Sequence, residues 1–145
     1  MPALNEYLLD RALPDARAGK SVTQAACRKE RVVAYYSLAA GSVEPDATTG
    51  RLAKGQGRQA IPVIILARLA VDLAEQGRHL GEQMLLQALG RSAEAASLIG
   101  VRAVLVHAKD AAARSFYGRY GFEPSPTHQL HLVLLMKDIR KTLGV

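Results

Sequence analysis

The chain has 145 residues, 49% of them hydrophobic and 22% charged, proportions that exclude a disordered, collagenous or coiled-coil sequence. That length makes a single domain over residues 1–145 the expectation, with room to bury roughly 70% of the surface an unfolded chain exposes. Nineteen Lys and Arg against thirteen Asp and Glu leave a formal net charge of +6, which favours polyanionic partners such as nucleic acid or CoA phosphates.

Pro2 to Leu13 carries apolar residues at roughly helical spacing, with Pro2 where helices tolerate proline, and Pro14 and Gly19 break it. Acids in this stretch replace the basic region of a signal peptide, so a cytoplasmic location is expected. Ser21–Cys27 and Arg31–Ala40 read as two strands of a hairpin, with Lys29 and Glu30 in its turn. Cys27, the lone cysteine, is expected to be a small apolar residue in a buried strand; alone, it excludes a disulfide framework or a cysteine-rich metal site. Gly41–Ala60, rich in Gly, Pro and Thr, reads as a mobile loop in which Arg51, Lys54 and Arg58 form a cationic cluster. Ile61–Val71 reads as a strand buried on both faces. Broken by Arg68, this longest apolar run is too short to span a bilayer.

A Gly-punctuated turn over Gln76–Gly81 leads into a helix expected over Leu80–Ile99, with Leu80, Met84, Leu85, Ala88, Leu89, Ala96 and Ile99 as its apolar stripe. Val101–Ala108 reads as a second buried strand. Asp110 suits the N-cap of a short helix over Ala111–Arg119 that Gly121 ends, and Gln129–Met136 reads as a last strand. Together these elements predict a mixed α/β sheet.

The chemistry concentrates where the Ile61–Val71 strand turns into the following helix. The first N–H groups of a helix have no intrahelical partner and the helix dipole adds partial positive charge, so a glycine-bearing turn here suits a phosphate or pyrophosphate. Arg78 adds a charged donor. Walker A is excluded because Gly81 is followed by Glu82 and Gln83, and the dinucleotide fingerprint because only two glycines stand in Gln76–Gly81. An ordinary tight turn remains the plainer alternative.

Gln76, Gly77, Arg78, His79, Leu80 and Gly81 resemble the Gln/Arg-x-x-Gly-x-Gly/Ala acyl-CoA pyrophosphate loop of the GNAT acetyltransferase superfamily, with His79 in place of the first motif glycine. Asp110, Ala113, Phe116 and Tyr117 resemble its Asn-x-x-Ala-x-x-Phe-Tyr helix, with Asp110 replacing the asparagine. Val32–Val43, Ile61–Asp72 and Gly121–Thr127 resemble, more narrowly, the GNAT toxins of type II toxin–antitoxin pairs. The resemblance implies the GNAT fold, a mostly antiparallel mixed sheet with a splayed central strand pair flanked by helices. The family's N-terminal strand is apparently absent, since this sequence starts inside the segment that Pro2–Asn5 resembles.

It further implies acetyl-CoA as donor, no metal, aminoacyl-tRNA as acceptor, a ribbon-helix-helix antitoxin and a homodimer away from membranes. Backbone groups of Leu69, Ala70 and Val71 would hold the thioester, and Gln76, Gly77, Arg78, His79, Leu80, Gly81 and Glu82 the pyrophosphate. Asp110, Ala113 and Phe116 would line the pantetheine arm, and Tyr117 would protonate the leaving thiolate. Two other readings stay open: an acetyltransferase for a small amine or a protein N-terminus, and a degenerate toxin that only binds acyl-CoA or antitoxin.

The remaining candidates carry little. His107, His128 and His131 lack metal-ligand spacing and read as structural; Tyr35 and Tyr36 alternate across one strand, so at most one faces an acceptor. Arg68 either pairs with an acid or lines the substrate mouth.

Overall fold

A computed structural model describes Gly19 and residues 21–145. The helix expected over Pro2–Leu13 lies outside the described residues. Strands β1 (Val22–Arg28) and β2 (Arg31–Val43) form the expected antiparallel hairpin. Its two-residue turn is tight enough to push Lys29 into the left-handed region, at φ 58°. The register slips between Ala26 and Cys27, a bulge that breaks the in–out alternation. Cys27 is exposed, not buried as its strand position suggested, because it stands at this slip near the hairpin end.

The stretch read as a loop holds more structure than its glycines imply. β2 runs on to Val43, a 3-10 turn covers Pro45–Ala47, and a one-turn helix α1 occupies Gly50–Ala53. The Thr49 hydroxyl accepts from the Leu52 N–H at 3.3 Å, capping that turn. Strand β3 (Ile61–Val71) buries Ile61, Val63, Ile64 and Leu66, but Ala67 and Arg68 are exposed and Leu69–Val71 half-buried. Only its first half is therefore a two-sided core strand.

Helix α2 (Leu80–Ala96) buries Met84, Leu85, Ala88 and Leu89 and stops short of the expected end, leaving Leu98 and Ile99 exposed. Strand β4 (Ala103–His107), helix α3 (Ala111–Gly118), the two-residue β5 (Glu123–Pro124) and β6 (His131–Leu135) follow. α3 ends before Gly121, whose φ of 93° carries the reversal after it. Helix α4 (Met136–Leu143) replaces the end of the expected last strand. The Met136 N–H already reaches the Arg102 carbonyl, Met136 and Ile139 are buried, and Gly144 closes the helix at φ 74°.

The six strands lie in the order β1-β2-β3-β4-β6-β5, mostly antiparallel with one parallel pair, and β4 pairs with β6 from Ala103↔Leu135 to His107↔His131. This agrees with the mixed, mostly antiparallel sheet expected. The chain forms two compact units: one holds the described residues up to Ala39 together with Leu66–Ala88, the other Ala40–Ile65 together with Leu89–Val145. In the second, Leu52, Ile61, Val63, Ala103, Leu105, Val133 and Leu135 make one apolar cluster. Gly41 serves close approach here, since a Cβ would collide with the Ile65 side chain. Arg51 ties α1 to β5 and α4, with Nη1 2.6 Å from Glu123 Oε1 and Nη2 2.9 Å from Asp138 Oδ2. No helix among the described residues is long and apolar enough to cross a membrane.

Leu52 is the side chain that seats α1 on this cluster. Leu52→Ala is expected to lower unfolding stability by about 2–5 kcal/mol through lost transfer energy and an unfilled cavity. Leu98→Ala, at a position 86% exposed, is expected to change it by less than about 0.5 kcal/mol. Urea denaturation of both variants checks the contrast.

Candidate functional site

The first unit holds the strand-to-helix turn. The Asp72 N–H donates to the Val33 carbonyl at 2.8 Å, after which the chain leaves the sheet. Asp72 Oδ1 then accepts from the Ala74 N–H at 2.9 Å, starting the 3-10 turn Leu73–Glu75. Gly77 (φ 85°) and His79 (φ 61°) both adopt the left-handed region, and the Gln83 N–H closes the first turn of α2 on the His79 carbonyl. Left-handed residues in a turn curl successive N–H groups inwards, the arrangement that binds anions. The free N–H groups of the first turn of α2 and its dipole add to the same pull.

His79 is thus more than a side chain in a glycine's place. It keeps the glycine's backbone conformation, which costs an L-residue energy, although His tolerates it better than most. Its ring projects into solvent and its Nδ1 lies 3.5 Å from Glu82 Oε2.

The turn is fixed from below by Glu75, whose side chain is 4% exposed. Arg28 grips it bidentately, Nε to Oε1 at 2.8 Å and Nη2 to Oε2 at 3.0 Å. Arg31 and Arg78 each bring a guanidinium nitrogen to 3.8 Å, and Arg31 also reaches Asp72 at 3.4 Å. The hydrogen bond from Arg28 holds the Glu75 carboxyl below the usual carboxylate range; burial opposes this, and the charges of Arg28, Arg78 and Arg31 reinforce it. Sequence inspection misses this cluster because Arg28 and Glu75 stand 47 residues apart.

The second unit holds the helix residues. Asp110 is the N-cap of α3, its Oδ1 accepting from the Ala113 N–H at 2.8 Å. Phe116 is half-buried and Tyr117 buried. The Tyr117 ring meets Phe116 edge-on at 5.2 Å and Phe122 at 5.5 Å, while Arg119 lies over the Phe116 ring at 5.7 Å. Burial pushes the Tyr117 phenol up to about 12. Beside α3 runs a cleft of about 340 Å³ between Ala111, Arg114, Ser115 and Gly118 of the helix and Phe122, Pro124 and Leu132.

The expected site residues thus fall into two groups. Leu69–Val71 and Gln76–Glu82 lie on one continuous strand–turn–helix segment; Asp110, Ala113, Phe116 and Tyr117 lie on or cap one helix. Of the cationic cluster, Arg51 is spent on Glu123 and Asp138, which leaves Lys54 and Arg58 exposed on the surface. Neither tyrosine of β2 faces solvent: both are buried, and the Tyr36 hydroxyl donates to Gln87 Oε1 at 2.8 Å. Arg68 is exposed.

An acetyltransferase (GNAT) domain profile matches residues 25–124. The chain is 49% identical over 143 residues to a tRNA-acetylating toxin of Mycobacterium tuberculosis (strain ATCC 25618 / H37Rv), covering 99% of this chain and 86% of that protein. The solved structure of AtaT complexed with acetyl-methionyl-tRNAfMet aligns with a TM-score of 0.89 at 25% identity, covering 100% of this chain and 88% of AtaT. AtaTR bound with acetyl-CoA aligns with a TM-score of 0.81 at 26% identity, covering 100% of this chain and 85% of that one.

Two predictions follow from the turn. Because the Glu75 carboxyl is depressed in the folded chain, its contribution is present above the ordinary carboxylate range and is lost as pH falls through the folded value. Urea midpoints recorded from pH 6 down to pH 3 are expected to fall in the wild type, and Glu75→Gln is expected to flatten that limb. His79→Gly relieves the left-handed backbone and is expected to raise stability by about 1 kcal/mol while tightening acetyl-CoA binding, read by calorimetric titration.

Proposed function

The chain belongs to the GNAT acetyltransferase family, and we propose that it is a toxin, residues 1–145 acting as one domain, that transfers acetyl from acetyl-CoA to the α-amine of aminoacyl-tRNA and so blocks translation. The observation that carries this reading is the near-full-length likeness to a tRNA-acetylating toxin. The turn over Gln76–Glu82 supports the donor half, because its left-handed residues curl backbone N–H groups where a pyrophosphate would be held.

The reaction forms an N–C bond and breaks a C–S bond. The amine lone pair adds to the thioester carbonyl, whose oxygen takes the developing charge, and a backbone N–H of the Leu69–Val71 stretch is assigned to that oxygen. Collapse expels the CoA thiolate; the nitrogen loses a proton and the sulfur gains one. A free α-amine has a pKa of about 7.7–8.0, and esterification lowers it, so much of the acceptor is neutral at pH 7 without a dedicated base. A lysine amine near 10.4 would need one.

Tyr117 is assigned to the sulfur. Its phenol, at about 12, keeps its proton throughout the working range. Full transfer to a thiolate of ordinary pKa about 8.5 is uphill by about 5 kcal/mol. Tyr117 therefore acts first as a hydrogen-bond donor to the developing thiolate, its proton moving across as the ammonium gives up its own. Asp110, with one carboxylate oxygen held by the Ala113 N–H, is assigned with Ala113 and Phe116 to the pantetheine arm.

The likeness to type II toxins carried by Val32–Val43, Ile61–Asp72 and Gly121–Thr127 extends the proposal to a homodimer that works in the cytoplasm and is neutralised by a ribbon-helix-helix antitoxin. The net charge of +6 suits an RNA substrate met through its phosphates.

Labelled acetyl-CoA, offered with charged tRNA, uncharged tRNA, spermidine and a lysine peptide, tests the reading. Label is expected on charged tRNA alone, and transfer to spermidine or the peptide without RNA would overturn the substrate. In the same assay Tyr117→Phe is expected to lose about one to three orders of magnitude in rate; a variant within twofold of wild type would remove Tyr117 from the reaction.

A further inference from the structure

Three histidines that the reaction does not use stack on one another. The His107 and His131 rings lie 4.0 Å apart between centroids at 14°, and the His131 and His128 rings 4.0 Å apart at 8°. The order His107–His131–His128 is set by two different devices. His107 and His131 face each other across the β4–β6 ladder, and His128 is brought over His131 by the turn after β5, where the His131 N–H donates to the His128 carbonyl at 3.1 Å.

That turn is firmly held. The Ser125 N–H donates to the His131 carbonyl at 2.7 Å, the Ser125 hydroxyl to the Ala47 carbonyl at 2.9 Å, and the Thr127 N–H to the Ser125 hydroxyl at 3.1 Å. His128 Nδ1 accepts from the Leu130 N–H at 3.2 Å, which fixes the orientation of the ring.

We propose that this stack is a platform for an unpaired nucleobase of a single-stranded RNA end. Its two outer rings, His107 and His128, are exposed, and the central His131 is half-buried. Flat, preordered, exposed rings stack bases of any sequence. Burial and the flanking His107 and His128 lower the His131 pKa, which disfavours a charge in the middle of the stack.

The surroundings suit an RNA strand. Residues 125–131 contain no Asp, Glu, Lys or Arg. The Arg114 guanidinium reaches the same turn at Gln129 Oε1, 3.4 Å away, and exposed Lys109 follows β4. The acid between them, Asp110, is engaged in capping α3. A metal site fits less well, since stacked rings direct their nitrogens outward in parallel planes; among the described residues no group of three His, Cys, Asp or Glu side chains converges as ligands.

The inference rests on the RNA substrate proposed above, so its test reads binding apart from turnover. Charged tRNA carrying 2-aminopurine in its unpaired 3′ end is titrated with the whole protein while label transfer is measured in parallel. The wild type is expected to quench the fluorophore. His128→Asn keeps an acceptor for the Leu130 N–H and removes the ring; it is expected to abolish quenching and raise the KM for charged tRNA about tenfold, with the KM for acetyl-CoA unchanged. His128→Phe keeps a ring and removes the acceptor, and is expected to stay within about twofold of wild type.

Equal losses in both variants would make His128 a turn-ordering residue and overturn the platform, as would a His128→Asn protein that behaves like wild type. Label transfer without quenching overturns the platform and leaves the proposed substrate standing. Quenching without label transfer does the reverse.

Discussion

A carboxylate taken out of water must be matched, and Glu75 is the place where this chain meets that demand. The bidentate grip of Arg28 satisfies it, and the grip has a geometric price: the end of β1 must lie under the 3-10 turn that follows β3. With that turn anchored, the chain has one residue, Gln76, before Gly77 and His79 swing through the left-handed region into α2. The left-handed curl therefore inherits its position from the ion pair at Glu75. Arg28 and Arg31 leave the first unit's hairpin to meet Glu75 and Asp72, so the hairpin and the turn are one electrostatic construction rather than a scaffold with a loop hung on it.

Much of the architecture was legible because it is local. The Lys29-Glu30 turn, the apolar start of β3, the stripe of α2 as far as Leu89 and the Asp110 cap each announce themselves within a few residues, and the structure places all of them. The misses share a cause, which is that tertiary context overrode local composition. Glycines around Gly50 hid a helical turn that Thr49 caps and Leu52 anchors; the continuous apolar run to Met136 hid the start of a helix whose end Gly144, just after Leu143, could have signalled. Cys27 was misplaced because a register slip has no signature in an alternating strand.

The candidate site divides the same way. The glycine-bearing turn was readable from its spacing and the Phe116-Tyr117 pair from its family resemblance, whereas the partners of Glu75 and the histidine stack depend on contacts made across the sheet or between distant loops. His79 shows the limit most clearly. As a letter it looked like the loss of a glycine; as a backbone it performs the glycine's part.

Arg51 carries a consequence for salt. Its ion pairs with Glu123 and Asp138 lie at the surface with all three side chains partly exposed, so dissolved ions screen them. Within the second unit α1 is therefore held by two ties of opposite temperament: the Arg51 clamp loosens as ionic strength rises, while the buried Leu52 anchor, being apolar, does not.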